Sequence, residues 1–290
     1  MEAKVLVSLL LQGISLGMLY FIIASGLSLI FGLMDVLNLA HGSLFMWGAY
    51  VAMTVYGYTG SFLLALVIGA AAGAALGVFL EVFTIRRLYG NPISQVLLTL
   101  GLILVLDEMV KVIWGPTVLP FPKPALLAGS FKILGRSFPY YRAFLIALGA
   151  AVWAAVHALL TRTKVGLIIR AGVEDREMVS ALGVDVRRVF TLVFALGGAL
   201  AALGGGAAGP FLMVYPTLGM DIPFPALIVV VIGGLGSFTG SAFGALLVGV
   251  SQSFVGYYQP ELAVAVNIAL MAAVLLIKPE GLLGVKREHA

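Results

Sequence analysis

No cysteine occurs in the 290 residues. Disulfides, thiolate metal sites and cysteine nucleophiles are therefore excluded, and the absence says little about redox compartment. Charge is scarce too: 10% of residues are charged, against about 25% in a soluble domain. The three histidines, His41, His157 and His289, are too scattered for metal-ligand spacing, so no metal is expected. There is no GxxxxGK(S/T) phosphate loop, no HExxH and no GxSxG; the chain is expected neither to hydrolyse ATP nor to be an intramembrane enzyme. One GxGxxG match, at Gly204, Gly206 and Gly209, follows a helical apolar run rather than a strand. Without a βαβ context it is no dinucleotide site.

Apolar length, by contrast, is plentiful. Hydrophobic residues make up 61% of the chain and mean hydropathy is +1.12. A spanning helix needs about 20 apolar residues. Apolar segments run Val5–Met34, Leu44–Tyr56, Phe62–Ile85, Ile93–Trp114, Ala143–Leu160, Val189–Val214, Phe224–Ile232, Phe238–Val255 and Leu262–Ile277. Leu44–Tyr56 and Phe224–Ile232 are too short to cross alone, and the first run is too long for a signal-peptide core. The expected fold is all-α: a polytopic transmembrane bundle of about eight or nine spans, one domain over residues 1–290, with short or broken helices in each half.

The cations set its orientation. Arg86 and Arg87, six Lys or Arg between Arg162 and Arg188, and Lys278, Lys286 and Arg287 fall on one side if the spans alternate. That side is expected to be cytoplasmic. The N-terminus then lies outside, the C-terminus inside, and the Pro-rich, aromatic stretch 115–142 forms an external loop. The net charge of +4 thus marks membrane edges and is no argument for nucleic acid.

Glycine is frequent, with 36 residues. Gly69, Gly73 and Gly77, and again Gly236, Gly240 and Gly244, are spaced by four, which lets helix backbones approach closely within the chain or at a subunit interface. Two interrupted regions stand in the two halves, GLMDVLNLAHGS (residues 32–43) and GGLGSFTGSAFG (residues 233–244). Broken hydrophobic segments in corresponding halves point to a transporter's substrate site. Candidate pathway residues are Asn38, His41, Gly42 and Ser43 in the first break, with Asp35 beside them, and Gly233, Gly234, Gly236 and Ser237 in the second. In the fourth segment Asp107 and Glu108 are both spaced to pair with Lys111, and Glu81 reads as a residue at a membrane edge.

The polar stretch 162–188 holds ten of the thirty charges (17 basic and 13 acidic). It keeps an apolar helical face through Leu167, Ile168, Ala171, Met178, Ala181, Leu182, Val186 and Val189. Glu174, Asp175 and Glu177 crowd one turn, which disfavours an anionic lipid surface. The small residues and glycine exit of Val179–Gly183 suit docking into a protein groove.

Four stretches together resemble the permease subunits of bacterial branched-chain amino acid ABC importers, the LivH type in particular. They are GLSLIFGLMDVLNLAHGSLFMWGAYVA (26–52), GLIIRAGVEDREMVSALGVDVRRV (166–189), IVVVIGGLGSFTGSAFGALLVG (228–249) and IKPEGLLG (277–284). The resemblance implies an inner-membrane permease working with a homologous M-type permease, two cytoplasmic ATPase subunits that bind the ATP, and a periplasmic or lipid-anchored binding protein that delivers the amino acid. It also implies a coupling helix within residues 171–183, placing ATPase contacts at Ala171, Gly172, Glu174, Asp175, Met178, Ala181, Leu182 and Gly183. Similar permeases carry other amino acids, amides or urea. Rival readings are an ion-coupled secondary transporter using Asp107, Glu108 or His41, a passive channel for a small neutral solute, and a structural membrane anchor.

Overall fold

The computed structural model describes residues 2–284 apart from 35, 37 and 134. Asp35, Lys286, Arg287 and His289 lie outside the described residues. The helices are α1 (Glu2–Met34), α2 (His41–Thr59), α3 (Phe62–Phe83), α4 (Pro92–Trp114), α5 (Tyr140–Arg162), α6 (Lys164–Glu174), α7 (Arg176–Ala181), α8 (Val186–Leu212), α9 (Leu218–Asp221), α10 (Pro223–Gly233), α11 (Phe238–Tyr258) and α12 (Ala263–Ile277). Six stretches among the described residues are long and apolar enough to cross a membrane: α1, α3, α5, α8, α11 and residues 260–277. The chain is a multi-pass helical membrane protein. α2, α4 and α10 run beside these spans; α4 carries Asp107, Glu108 and Lys111, and α10 has only 11 residues.

The loop between α4 and α5 contains a small antiparallel hairpin, β1 (Ser130–Ile133) with β2 (Arg136–Pro139), an element the hydropathy pattern did not announce. It lies by the start of α1, where Lys4 is beside Gly135, and marks the hairpin end of the bundle. α6 and α7 mark the opposite, polar end.

Side-chain caps set several boundaries. Ser61 begins α3, Asn91 begins α4 with Pro92 at its first position, and Ser237 begins α11, each accepting a backbone N–H of the first turn. Capping also divides the 162–188 stretch, which is two helices rather than one. Asp175 leaves the helical conformation (φ −150°, ψ 103°) and accepts the N–H of Met178, ending α6 and starting α7. Asp185 then caps α8. Leu167, Met178 and Leu182 of the expected apolar face are exposed; Ile169 and Val179 are the buried residues.

Helix packing is built on glycine. A Cβ at Gly17 would lie 3.0 Å from Leu246 Cα, and one at Gly13 2.5 Å from Val250 Cα, so α1 and α11 touch along their backbones. Gly73 faces Gly198 and Ala202 and Gly77 faces Phe194, joining α3 to α8; Gly48 and Gly205 join α2 to α8. Gly240 and Gly244 face Gly233 and Val229. Both glycine ridges therefore pack within this chain. The glycines of the GxGxxG match lie inside α8.

At the polar end, Glu81 is fully buried. Arg86 grips its carboxylate with Nε and Nη2 at 2.9 and 2.8 Å, Tyr89 donates at 2.6 Å and Thr191 of α8 at 2.9 Å. Burial pushes the Tyr89 hydroxyl up, and its bond to Glu81 adds to the shift. The carboxylate thus ties the end of α3 to the start of α8.

The C-terminal segment folds back at the same end. Leu282 and Leu283 donate backbone N–H groups to Ile232 and Gly233, and Gly281 and Gly284 pack on Gly234.

Two stability outcomes follow, both readable by thermal unfolding of the purified chain in detergent. Gly205→Ala pushes a methyl into the Phe45 carbonyl and lowers stability by about 1–3 kcal/mol or more, whereas Gly101→Ala, with open space around it, is neutral or stabilising by up to about 1 kcal/mol. Glu81→Ala strands Arg86 and two hydroxyls and costs about 3–5 kcal/mol; a midpoint unchanged from wild type would remove the clamp's structural role.

Candidate functional site

His41 begins α2 but does not lie by the end of α1. Its Nε2 is 3.0 Å from the carbonyl oxygen of Ile23, eleven positions before Met34, or about 16 Å back along the helix at about 1.5 Å per residue. The chain leaves α1 at the polar end, doubles back, and starts α2 inside the bundle. Gly42 makes this possible, because any Cβ there would overlap the Gly219 carbonyl and the Pro223 ring.

Pro223 is itself the first residue of α10. Two helices therefore begin at one place inside the bundle. α2 runs to the hairpin end, where Tyr56 stacks near Phe121; α10 runs to the polar end, where the C-terminal segment meets Gly233. The first N–H groups of a helix lack partners within it and carry the positive end of its dipole. Pro223 and Pro225 have no N–H and Ala226 donates to the Ile222 carbonyl, so the donors this junction offers a carboxylate are chiefly those of the first turn of α2.

Buried polar side chains surround this point. Asn38 is 1% exposed. Among the described residues, neither atom of its amide has a hydrogen-bond partner, nor do His41 Nδ1, Asp107 Oδ2 or the Tyr50 hydroxyl. Ser43 Oγ donates to Asp107 Oδ1 at 3.4 Å. Gly219 closes over both: a Cβ there would lie 3.1 Å from Asp107 Oδ1. Buried polar atoms without partners are costly, and in native structures each calls for an explanation such as water, an ion or a catalytic role. Here they gather where helices are interrupted, the kind of backbone tolerated in membranes only where it lines a cavity or is buried in protein.

α4 is held to α2 by a polar stripe. Besides Ser43–Asp107, Trp47 Nε1 donates to the Leu106 carbonyl at 3.2 Å and Trp114 Nε1 donates to Thr54 at 2.8 Å. The Tyr50 and Trp114 rings lie 5.1 Å apart. Lys111 pairs with Glu108 at 2.6 Å; Asp107 turns inward instead.

Gly233, Gly234, Gly236 and Ser237 lie at the α10–α11 turn at the polar end. Gly234 and Gly236 take φ of 106° and 81°, and Ser237 caps α11. This turn meets the first break where Gly236 packs against Gly32. The interruption that meets Gly42 is residues 213–222, which hydropathy alone did not single out. Its signals were Pro216, Pro223 and Pro225 beside an apolar segment too short to span.

α6 is seated next to the first break: a Cβ on Gly172 would lie 2.7 Å from Leu33 Cδ1, near the end of α1. Ala171 is half-buried, while Glu174, Asp175, Met178, Ala181, Leu182 and Gly183 face away from the bundle. Gly183 follows α7 with φ 82° and open space around it.

Residues 9–275 match the family described as "Branched-chain amino acid transport system / permease component". The chain is 29% identical over 294 residues to the high-affinity branched-chain amino acid transport system permease protein LivH of Salmonella typhimurium, covering 94% of each chain. It is 28% identical to the corresponding BraD protein of Pseudomonas aeruginosa, over 95% of this chain and 94% of that one. It is 27% identical to the permease protein LivM of Escherichia coli, over 94% of this chain and 69% of that one. No solved structure gives a significant match. With nearly its whole length matched, the chain belongs to the family of permease components of branched-chain amino acid transport systems.

Proposed function

We propose that this chain is one of two homologous transmembrane subunits of an ABC importer for branched-chain amino acids in the bacterial inner membrane. The observation that carries the reading is the pair of helix N-termini, α2 and α10, meeting at Gly42 and Pro223 inside the bundle. The polar end faces the cytoplasm, where α6 and α7 engage an ATPase subunit that hydrolyses ATP. The hairpin end faces the binding protein that delivers substrate. The translocation pathway is shared with a LivM-like partner.

N–H groups of the first turn of α2 receive the amino acid's carboxylate, with the start of α10 packed against them. Asp107 Oδ2, unpartnered among the described residues, accepts from its ammonium group, and the apolar side chain finds the surrounding hydrocarbon walls. Asn38, His41 and Ser43 line the entry to this point. Coupling runs through α6, whose Gly172 rests on Leu33 just before the break. Closure of the ATPases shifts α6, and α6 shifts the end of α1 on which the re-entering segment hangs. Transport requires that substrate, binding protein and ATP favour different states of the pair.

One observation favours a second reading. A buried carboxylate with an unpartnered oxygen also suits proton or sodium coupling, as in a secondary transporter. Uptake of radiolabelled leucine into vesicles holding this chain, the LivM-like permease and the ATPases separates the two. Uptake that needs both internal ATP and external binding protein supports the importer. Uptake that survives without ATP and collapses with an uncoupler overturns it in favour of ion coupling.

Within that assay, Met178→Asp combined with Leu182→Asp, at positions 59% and 76% exposed, is expected to leave the chain folded and in the membrane but to abolish ATP-driven uptake; normal uptake would remove α7 from the ATPase contact. Asp107→Asn is expected to raise the apparent KM for uptake about tenfold or more, since a charged hydrogen bond is worth about 1.5–3 kcal/mol. An unchanged KM would take Asp107 out of substrate binding.

A further inference from the structure

A cavity of about 320 Å³ opens at the hairpin end between α1, α5 and α11, far from the α2–α10 junction. Arg136 of β2 and Arg142 of α5 both line it. Among the described residues neither guanidinium forms an ion pair; the pairs present are Arg86–Glu81, Lys111–Glu108 and Arg188–Asp185. The Arg142 guanidinium carbon lies 5.9 Å from the centre of the Phe211 ring. Gln252 also faces the cavity. Its Oε1 accepts from the Tyr20 hydroxyl at 2.9 Å, so its amide N–H groups remain as donors. The rest of the wall combines leucines, Leu9, Leu16, Leu19 and Leu145, with the polar Gln12, Ser15 and Ser253. No Asp or Glu lines the cavity.

Two half-buried arginines, Arg136 on the hairpin and Arg142 in the first turn of α5, turn towards one cavity with no acidic side chain on its wall, and so suit an anion. Arginine forks suit phosphate oxygens, which they bind bidentately. A zwitterionic amino acid or a choline headgroup would bring its own cation against two positive charges with no carboxylate to receive it. The leucine wall beside the donors asks for a ligand with an apolar part. From these features we infer that the cavity binds the phosphodiester headgroup of an anionic phospholipid, its acyl chain lying along α1 and α5. The shared chemistry is a phosphate oxyanion, and a free phosphate is its other source.

The test uses the full chain in detergent and in nanodiscs. Phosphatidylglycerol is titrated against phosphatidylcholine of the same acyl chains, with thermal midpoint and native mass spectrometry as readouts, and inorganic phosphate forms a separate arm. Phosphatidylglycerol is expected to raise the midpoint and to be retained on wild type, with phosphatidylcholine and inorganic phosphate doing neither. Arg136→Gln combined with Arg142→Gln is expected to weaken retention at least about tenfold, the loss of one or two charge-assisted bonds. If that double variant fails to fold, Arg136→Gln alone, on the hairpin outside the helices, gives the same reading. Arg142→Lys, which keeps the charge without the fork, is expected to retain an intermediate amount. Equal retention of the two lipids by wild type, or retention unchanged in the folded Arg136→Gln chain, overturns the site. Stabilisation by inorganic phosphate alone, with no preference between the lipids, overturns the lipid as its occupant.

Discussion

Lipid tails are as apolar as leucine, so the hydrophobic effect does not press one helix against another in a membrane. Association must come from close contact and hydrogen bonds, and close contact requires that nothing stand between two backbones. In this chain that condition is met at Gly13, Gly17 and Gly249 between α1 and α11, at Gly73, Gly77 and Gly198 between α3 and α8, and at Gly48 and Gly205 between α2 and α8. α1 and α8 consequently sit at the centre of the bundle. α4, whose Gly101 meets nothing, is attached differently, through Asp107, Leu106 and Trp114 to Ser43, Trp47 and Thr54 of α2. The bundle has a glycine-welded interior and an outer helix held by polar rungs.

That division bears on transport. A backbone-to-backbone contact has one good geometry and resists sliding, whereas hydrogen bonds between side chains can be exchanged. The interrupted helices lie at the boundary between the two regimes: Gly42 is packed against Gly219 and Pro223, while Asp107 on α4 reaches the same point through Ser43. At the polar end, Glu81 accepts four bonds, one of them from Thr191 of α8, and α6 packs on the end of α1 through Gly172 and the buried Ile169.

Much of this was legible in the sequence. Apolar lengths marked the spans, and four-residue glycine spacing marked the ridges, because both are local properties of one helix. The first break was visible because Asn38 and His41 interrupt an apolar run. Its partner was not, because residues 233–244 look broken by glycine content, and only tertiary structure separates a tight turn at a helix end from a helix that begins inside the bundle. Pro216, Pro223 and Pro225 carried the better signal. Glu81 reads as an edge residue beside Arg86 and Arg87; its burial depends on Thr191, more than a hundred residues away, and no local pattern reports that. The division of 162–188 rested on Asp175 as a cap, legible in principle and masked by a continuous stretch of helix-forming residues.

The fold-back of residues 281–284 onto Gly234 has a consequence for how the protein is made. The turn that ends α10 and begins α11 gains its covering backbone from a segment synthesised nearly fifty residues later, at the far end of the chain. While α11 and α12 emerge and insert, the carbonyl groups of Ile232 and Gly233 await the N–H groups of Leu282 and Leu283. The end of α10 is therefore completed only after α11 and α12 have been made. A chain cut short before Gly281 leaves the carbonyl groups of Ile232 and Gly233 without these partners.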